Sequence, residues 1–160
     1  MESGQTKDPT KLSISDKGID FIKNWEGCEL KAYLDGGGVW TIGIGHTKTA
    51  KEGMVITMEQ AISLFKEDCS PIEKTLNDKK VIIVSLSQQN YDALCSFSFN
   101  LGLGALKKST LLRCLNAGNY DDAAKEFLKW CNDNGKRIEG LYKRRVAEST
   151  VFKGGEYTKP

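Results

Sequence analysis

The chain has 160 residues, of which 39% are hydrophobic and 28% are charged, and this composition is typical of one globular domain with a single main core. Its net charge of +2, from 23 basic and 21 acidic residues, is too balanced to indicate a nucleic-acid-binding protein. Five widely spaced cysteines without a CxxC pair argue against a zinc site, and the single histidine, His46, excludes a site built from several histidines.

The N-terminal part of the sequence predicts a tail followed by a helix. Residues 1–14 are polar and lack the apolar stretch of a secretory signal, so we expect a flexible tail. No segment has the roughly 18 consecutive apolar residues that a membrane-spanning helix needs. Ser15 is typical of a helix N-cap, Ile19 and Ile22 have helical spacing, and Gly27 predicts the end of this helix.

Two short strands around a glycine-rich turn are predicted next. Leu30, Ala32 and Leu34 alternate with polar residues, which favours a strand with one buried face. The three consecutive glycines at positions 36–38 permit a sharp turn, and residues that favour strands resume over positions 39–46. We therefore expect a hairpin, whose glycine loop leaves room for a group outside it.

The rest of the chain is predicted to be mainly helical. Thr57 and Gln60 match a capping box at the start of a long amphipathic helix that reaches Leu76. Pro71 lies inside this pattern and predicts a kink or an earlier end. Residues 81–84 form an apolar run that is either a buried connection or a strand. Further helices are predicted over residues 87–101, 110–116, 121–130 and 138–152.

Strands early in the chain and helices later predict an α+β fold. We expect a single catalytic domain over residues 15–160, with a small N-terminal lobe that contains the β-structure and a larger helical C-terminal lobe. The long helix is expected to join the lobes. A cleft between two lobes is a common place for a substrate to bind.

Two carboxylates and a hydroxyl can converge if the end of the first helix and the predicted hairpin fold onto one another. Glu26 ends the first helix, Asp35 ends the first strand and Thr41 lies in the second strand. Glycoside hydrolysis needs one protonated carboxyl to donate to the leaving oxygen and one carboxylate to activate water or attack the sugar. In a chain with 21 acidic residues, a Glu and an Asp nine positions apart often occur by chance. By spacing alone, Glu26 and Asp35 are therefore also explained as a pair of solvated surface carboxylates.

The residues around these carboxylates are more specific than their spacing. Positions 25–35 are Trp-Glu-Gly-Cys-Glu-Leu-Lys-Ala-Tyr-Leu-Asp, and positions 40–47 are Trp-Thr-Ile-Gly-Ile-Gly-His-Thr. Together they resemble the active-site region of the phage-type lysozymes, glycoside hydrolase family 24. The resemblance extends from Ser15 to Phe152, and near the C-terminus it includes Arg144, Arg145 and Glu148.

The resemblance implies a lysozyme-like fold and an inverting muramidase that lyses the host cell. Its substrate would be the β-1,4 bond between N-acetylmuramic acid and N-acetylglucosamine in peptidoglycan. Glu26 would be the general acid, and Asp35 would assist the attacking water with help from Thr41. Whether Asp35 is a base or an electrostatic support stays open. No metal or cofactor is implied.

Other residues are predicted to support this site or to bind substrate. Phe99 and Asn100 are candidate substrate contacts, with core packing of Phe99 and helix C-capping by Asn100 as alternatives. His46 is expected to be a hydrogen-bonded structural residue beside the site. Arg144 or Arg145 is a candidate to approach the general acid, with Arg145 taken as the supporting residue, and at least one of the two is expected on a solvated basic face.

Peptidoglycan is the expected partner of a monomeric protein that neither binds nucleic acid nor inserts stably into a membrane. Because we see no export signal, we expect it to accumulate in the host cytoplasm and to reach the wall, in the periplasm, through a separate membrane pore. Cys28 is interpreted as a packing residue. Two alternatives stay open: a lytic transglycosylase, which cuts the same bond without water, and a non-catalytic wall-binding or virion structural protein.

Overall fold

A computed structural model describes residues 11–158 and confirms the predicted α+β fold. Two antiparallel two-stranded sheets, β1–β2 and β3–β4, are embedded among seven α-helices and one short 3₁₀ helix in this part of the chain. The elements are α1 (Asp16–Glu26), β1 (Glu29–Leu34), β2 (Trp40–Gly43), α2 (Met58–Leu76), α3 (Gln88–Leu101), α4 (Leu103–Lys108), α5 (Thr110–Asn116), α6 (Tyr120–Glu126), the 3₁₀ helix (Phe127–Lys129), β3 (Asn132–Asp133), β4 (Lys136–Arg137) and α7 (Glu139–Phe152).

The two predicted lobes are visible as two separate hydrophobic cores. The small core contains Ala32, Ile42, Ile56 and Ala61, from the hairpin, the segment after it and the start of α2. The large core is built mainly from α1 and the helices after Ile56, and it includes Phe65 of α2. Helix α2 therefore contributes to both cores and joins the lobes, as the lysozyme-like prediction requires.

Helix α1 begins and ends where the local sequence predicts. The Ser15 hydroxyl accepts a hydrogen bond from the backbone N–H of Gly18, and Gly27, with φ of +82°, ends the helix. The segment before it differs from the prediction. The backbone N–H of Leu12 donates to Asn77 at 3.0 Å and that of Ile14 donates to Glu73 at 2.8 Å. The expected loose tail therefore does not reach Ile14, and its first ten residues lie outside the described residues.

The hairpin forms, but its exposed surface is larger than the alternating pattern predicts. In β1 only Ala32 is buried, whereas Leu30 and Leu34 are 37% and 54% exposed. The pairing between β1 and β2 is irregular between Glu29 and Tyr33, and the small core takes one side chain from this strand. The prediction of a regularly buried face is wrong because the small core takes Ala32 but leaves Leu30 and Leu34 exposed.

The second strand is shorter than predicted because it ends in a tight turn. Gly43 and Gly45 have φ of +63° and +66°, a backbone conformation that favours glycine. The turn is closed by two backbone hydrogen bonds of 2.9 Å between Ile42 and His46. Residues 44–46 therefore fold back beside β2 instead of extending it.

Helix α2 has the predicted capping box, with reciprocal hydrogen bonds between Thr57 and Gln60. It continues through Pro71 to Leu76, so the prediction of an earlier end is wrong. Ile72 and Leu76 are buried in the large core, and their burial offsets the backbone hydrogen bond that a proline cannot donate. After α2, the run at 81–84 is an irregular connection rather than a strand, with Ile82 buried and Ile83 exposed.

Two short elements in the C-terminal lobe were not predicted. Helix α4 has only six residues, too few to show a period. The β3–β4 hairpin turns at Asn134 and Gly135, which have φ of +51° and +77°. An Asn-Gly pair of this kind is a common two-residue hairpin turn, so the signal was present in the sequence. Over residues 11–158, no helix is long and apolar enough to cross a membrane.

Candidate active site

Glu26 lies where the end of α1 meets the hairpin lobe and the end of α3. Its side chain is 22% exposed. A Cβ atom built on Gly45 would lie 3.7 Å from Oε1 of Glu26 and 3.8 Å from Cε2 of Phe99. The turn after β2 thus lies near both the Glu26 carboxyl and the end of α3. The end of the first helix therefore lies beside the turn that follows β2. The convergence of Asp35 and Thr41 on Glu26 stays a prediction.

Gly45, beside Glu26, has a backbone conformation that favours glycine. We expect Gly45→Ala to lower the free energy of unfolding by about 1–2 kcal/mol, because an L-residue is strained at φ of +66°. Thermal unfolding measures the loss. The matched control is Gly36→Ala, at a position where an added Cβ meets nothing within 4 Å and φ is not positive. Equal melting temperatures for the two variants would contradict the prediction.

Arg144 of α7 holds the Glu26 carboxyl. Its Nη1 donates to Oε2 of Glu26 at 2.7 Å. The same guanidinium donates from Nε to Glu148 at 3.2 Å, and from Nη2 to the backbone and side-chain oxygens of Ser96 at 3.3 and 3.2 Å. Arg144 is buried, so it does not lie on the solvated basic face that the sequence suggested.

Arg145, the predicted supporting residue, is also buried but takes a different place. Its guanidinium donates to Glu148, to the side-chain oxygen of Asn100 and, at 2.9 Å, to the carbonyl of Trp130. These contacts are with residues other than Glu26. The prediction that at least one of the two arginines is solvated is wrong, because both share the buried carboxylate of Glu148.

The structure separates the roles of the two residues at the end of α3. Asn100 does not cap the helix; its side-chain oxygen is engaged by Arg145, and Gly102 ends α3. Phe99 packs against Phe65, with ring centroids 5.1 Å apart, and remains partly exposed beside Gly45. Phe99 is thus anchored in the core, and one edge of its ring lies near Gly45, which also lies near the Glu26 carboxyl.

Asp35 and Thr41 both engage the glycine loop. Oδ1 of Asp35 accepts hydrogen bonds from the backbone N–H groups of Gly37 and Val39, at 2.8 and 2.9 Å. Thr41 is buried, and its hydroxyl donates to the carbonyl of Val39 at 3.0 Å. Asp35 itself is exposed. Its carboxylate is held at the mouth of the loop, with Oδ1 used to order the backbone.

His46 connects the turn after β2 to helix α2. Its Nδ1 lies 2.8 Å from Asp68, and its Nε2 lies 2.7 Å from the hydroxyl of Thr49. The backbone N–H of Thr49 also donates to Nε2, so Nδ1 carries the proton shared with Asp68. The ring is buried. These contacts agree with a structural role for His46, which holds the turn that carries Gly45; no local sequence signal identified Asp68 as its partner.

All five cysteines are in the described part of the chain and are unpaired there. Cys28 contacts Met58, with 3.9 Å between the sulfur atoms, and burial raises the pKa of its thiol. Burial also raises the pKa of Cys69 to about 12 and that of Cys95 well above its usual value. Between residues 11 and 158, no group of three His, Cys, Asp or Glu side chains is placed to hold a metal ion.

The sequence model of the family described as phage lysozyme matches residues 23–148, which is most of the chain. The chain belongs to the phage lysozyme family. This phage lysozyme is 47% identical over 145 residues to the endolysin of Acyrthosiphon pisum secondary endosymbiont phage 1, a match that covers 88% of the chain and 98% of that protein.

Solved structures agree with this assignment. A mutant of P22 lysozyme has 40% sequence identity and a TM-score of 0.81, and the match covers 89% of this chain and 99% of that chain. The muramidase domain of SpmX from Asticaccaulis excentricus has 36% identity and a TM-score of 0.81, with coverage of 89% and 98%. The phage lysozyme is thus a lysozyme-type glycosidase with a cell-lysis function.

Proposed function

We propose that this phage lysozyme is an N-acetylmuramidase that hydrolyses the β-1,4 bond between N-acetylmuramic acid and N-acetylglucosamine in bacterial peptidoglycan, with inversion at the anomeric carbon. Glu26 is the general acid in this proposal. The observation that carries it is the position of Glu26, which is bonded to the buried Arg144 and lies beside Gly45, in the turn after β2. No metal or cofactor takes part.

The two oxygens of Glu26 have different surroundings, which suits proton donation. Oε2 is bonded to Arg144, which fixes the orientation of the carboxyl group. Oε1 is the oxygen nearest Gly45, where the backbone carries no side chain. A sugar ring can therefore approach Oε1 closely, and the proton of Glu26 is delivered from Oε1 to the glycosidic oxygen as the bond breaks.

Asp35 and Thr41 supply the water-activating side of the proposed mechanism. Because Oδ1 of Asp35 binds the loop backbone, Oδ2 is the oxygen that can accept a proton from water. The Thr41 hydroxyl donates to Val39, and its free lone pairs can accept a hydrogen bond from the same water. An inverting glycosidase needs such a water on the face of the sugar opposite the acid.

This arrangement favours hydrolysis over the transglycosylase reaction. A lytic transglycosylase needs only the acid, so it has no use for a second carboxylate and a hydroxyl placed for water. A non-catalytic wall-binding protein has no use for a carboxyl fixed by a buried arginine such as Arg144.

Product analysis of digested peptidoglycan tests the proposal. We expect reducing N-acetylmuramic acid ends that take up one ¹⁸O atom from labelled water, because water attacks the anomeric carbon. In fresh digests, proton NMR should show the α-anomer first, since a β-bond is inverted. Anhydromuramic ends without label would contradict hydrolysis, and initial β-anomer would contradict inversion. Heat-treated enzyme provides the control.

A further inference from the structure

Glu148 is a fully buried carboxylate that the proposed mechanism does not use. It lies on α7 with 0% of its side chain exposed. Oε2 accepts from Arg144 Nε at 3.2 Å and from the Ser96 hydroxyl, and Oε1 accepts from Arg145. A buried charge is costly unless it is paired, and here one carboxylate is paired with two arginines. When Glu26 is ionised, the cluster of Arg144, Arg145, Glu148 and Glu26 holds two positive and two negative charges.

We propose that Glu148 is a positioning residue for Glu26 that acts through Arg144, an inference that rests on the proposed role of Glu26 as general acid. Glu148 aims the Arg144 guanidinium at Glu26 and offsets its positive charge. Glu26 is thereby hydrogen bonded to an arginine whose charge is balanced by a second carboxylate.

The aiming follows from the shape of the guanidinium. Its five N–H groups form a rigid planar fork, so the orientation of the group is set when two of its nitrogens are held. Glu148 holds Nε and Ser96 holds Nη2 of Arg144. Nη1 is then directed at Oε2 of Glu26, which it reaches at 2.7 Å. The Ser96 hydroxyl also donates to Glu148, so Ser96, Glu148 and Arg144 hold one another in a fixed orientation.

The charge balance follows from the distances. An arginine in contact with a carboxyl group favours its ionised form, which is the wrong form for a general acid. Glu148 contacts Arg144 on the side away from Glu26 and supplies a compensating negative charge. Arg145, in turn, balances the remaining charge of the cluster through Oε1 of Glu148.

Charged groups on the other elements around Glu26 are engaged elsewhere. The end of α3 contributes Ser96, Phe99 and Asn100, which carry no charge. On α1 itself, Lys23 pairs with Asp20 at 3.7 Å. After β1 and β2, Asp35 is bonded to the backbone of its loop and His46 is paired with Asp68. Among the described residues, the ion pair that reaches Glu26 therefore comes from α7.

Replacing Glu148 by glutamine tests the proposal through the pH dependence of wall hydrolysis. We expect Glu148→Gln to move the alkaline limb of the pH–activity profile about one pH unit lower, the size typical of one unbalanced neighbouring charge. Activity at neutral pH then falls about tenfold, and activity at acidic pH falls less. The matched control is Glu139→Gln, on the same helix but exposed and paired with Arg137 at 3.0 Å; its profile should not move.

Two further variants complete the test and cover the case in which Glu148→Gln does not fold. Arg144→Gln removes the opposite charge and should move the alkaline limb to higher pH. The double variant Arg144→Gln/Glu148→Gln restores a cluster of zero net charge, and its limb should return to that of the wild type. Titration of the Glu26 carboxyl by ¹³C NMR, without substrate, gives the same comparison independently of activity.

The outcomes separate this inference from the proposed function. If Glu148 were only structural, each folded variant would lose the same fraction of activity at every pH, and an unmoved limb would overturn the proposal. The proposal would also be overturned if the alkaline limb of the double variant stayed a full pH unit away from that of the wild type. A wild-type protein that does not hydrolyse peptidoglycan, or a fully active Glu26→Gln variant, would instead overturn the proposed function.

Discussion

Glu26→Gln is expected to abolish peptidoglycan hydrolysis, with a loss of about 10³-fold or more, while the protein remains folded. Glutamine has the same shape as glutamate, and its amide oxygen can still accept the hydrogen bond from Arg144. It cannot donate a proton to the glycosidic oxygen. The replacement removes the proton donor without creating a cavity. The loss of activity should therefore come from the chemical step and not from unfolding.

The measurement is the rate at which the variant clears a suspension of bacteria stripped of their outer membrane. The matched control is Glu29→Gln, three residues further along the chain on an exposed position of β1, which should clear the suspension at the wild-type rate. Thermal unfolding of all three proteins shows whether they are folded. A Glu26→Gln protein that clears the suspension within tenfold of the wild-type rate would remove Glu26 from its role as general acid.

Arg145→Met is expected to cause the largest loss of stability, about 3–5 kcal/mol in the free energy of unfolding. The replacement removes a fully buried charge and leaves Glu148 with Arg144 as its remaining cation. It also removes the hydrogen bonds to Asn100 and to the carbonyl of Trp130. Methionine retains much of the packing volume, so most of the loss should come from the unpaired polar groups.

Urea unfolding at neutral pH measures this loss. The control is Arg137→Met, which removes an arginine that is exposed, paired with Glu139 and stacked on the ring of Tyr142 at 3.7 Å. Exposed pairs contribute about 1 kcal/mol or less. If both variants unfold at the same urea concentration, the buried cluster is not the main electrostatic support of the C-terminal lobe.

Much of the fold was predictable because its signals are local. The Ser15 cap, the end of α1 at Gly27 and the capping box of α2 each depend on residues within four positions of one another. The glycine turn between β1 and β2 is local in the same sense. Such contacts form between neighbours in the chain, so residue types and spacing predict them.

The candidate site was predictable only in part. The positions of Glu26, Asp35 and Thr41 were identified by their resemblance to a family motif, because their spacing alone does not distinguish them from surface residues. The binding of Asp35 to the glycine loop backbone is a local contact that the motif does not describe. The roles proposed for these residues stay predictions until the variants are measured.

The sequence by itself determined the caps of α1 and α2, the glycine turn between β1 and β2, the two-lobed α+β pattern and the family. Only the tertiary structure decided which arginine meets Glu26, that Arg145 instead holds Asn100, and that Glu148 is buried between both arginines. Arginine and glutamate are usually exposed, so their type predicts a solvated face. Their burial arises because α7 packs against α3 and its side chains reach the end of α1, 118 positions away in the chain, and no local pattern encodes that distance.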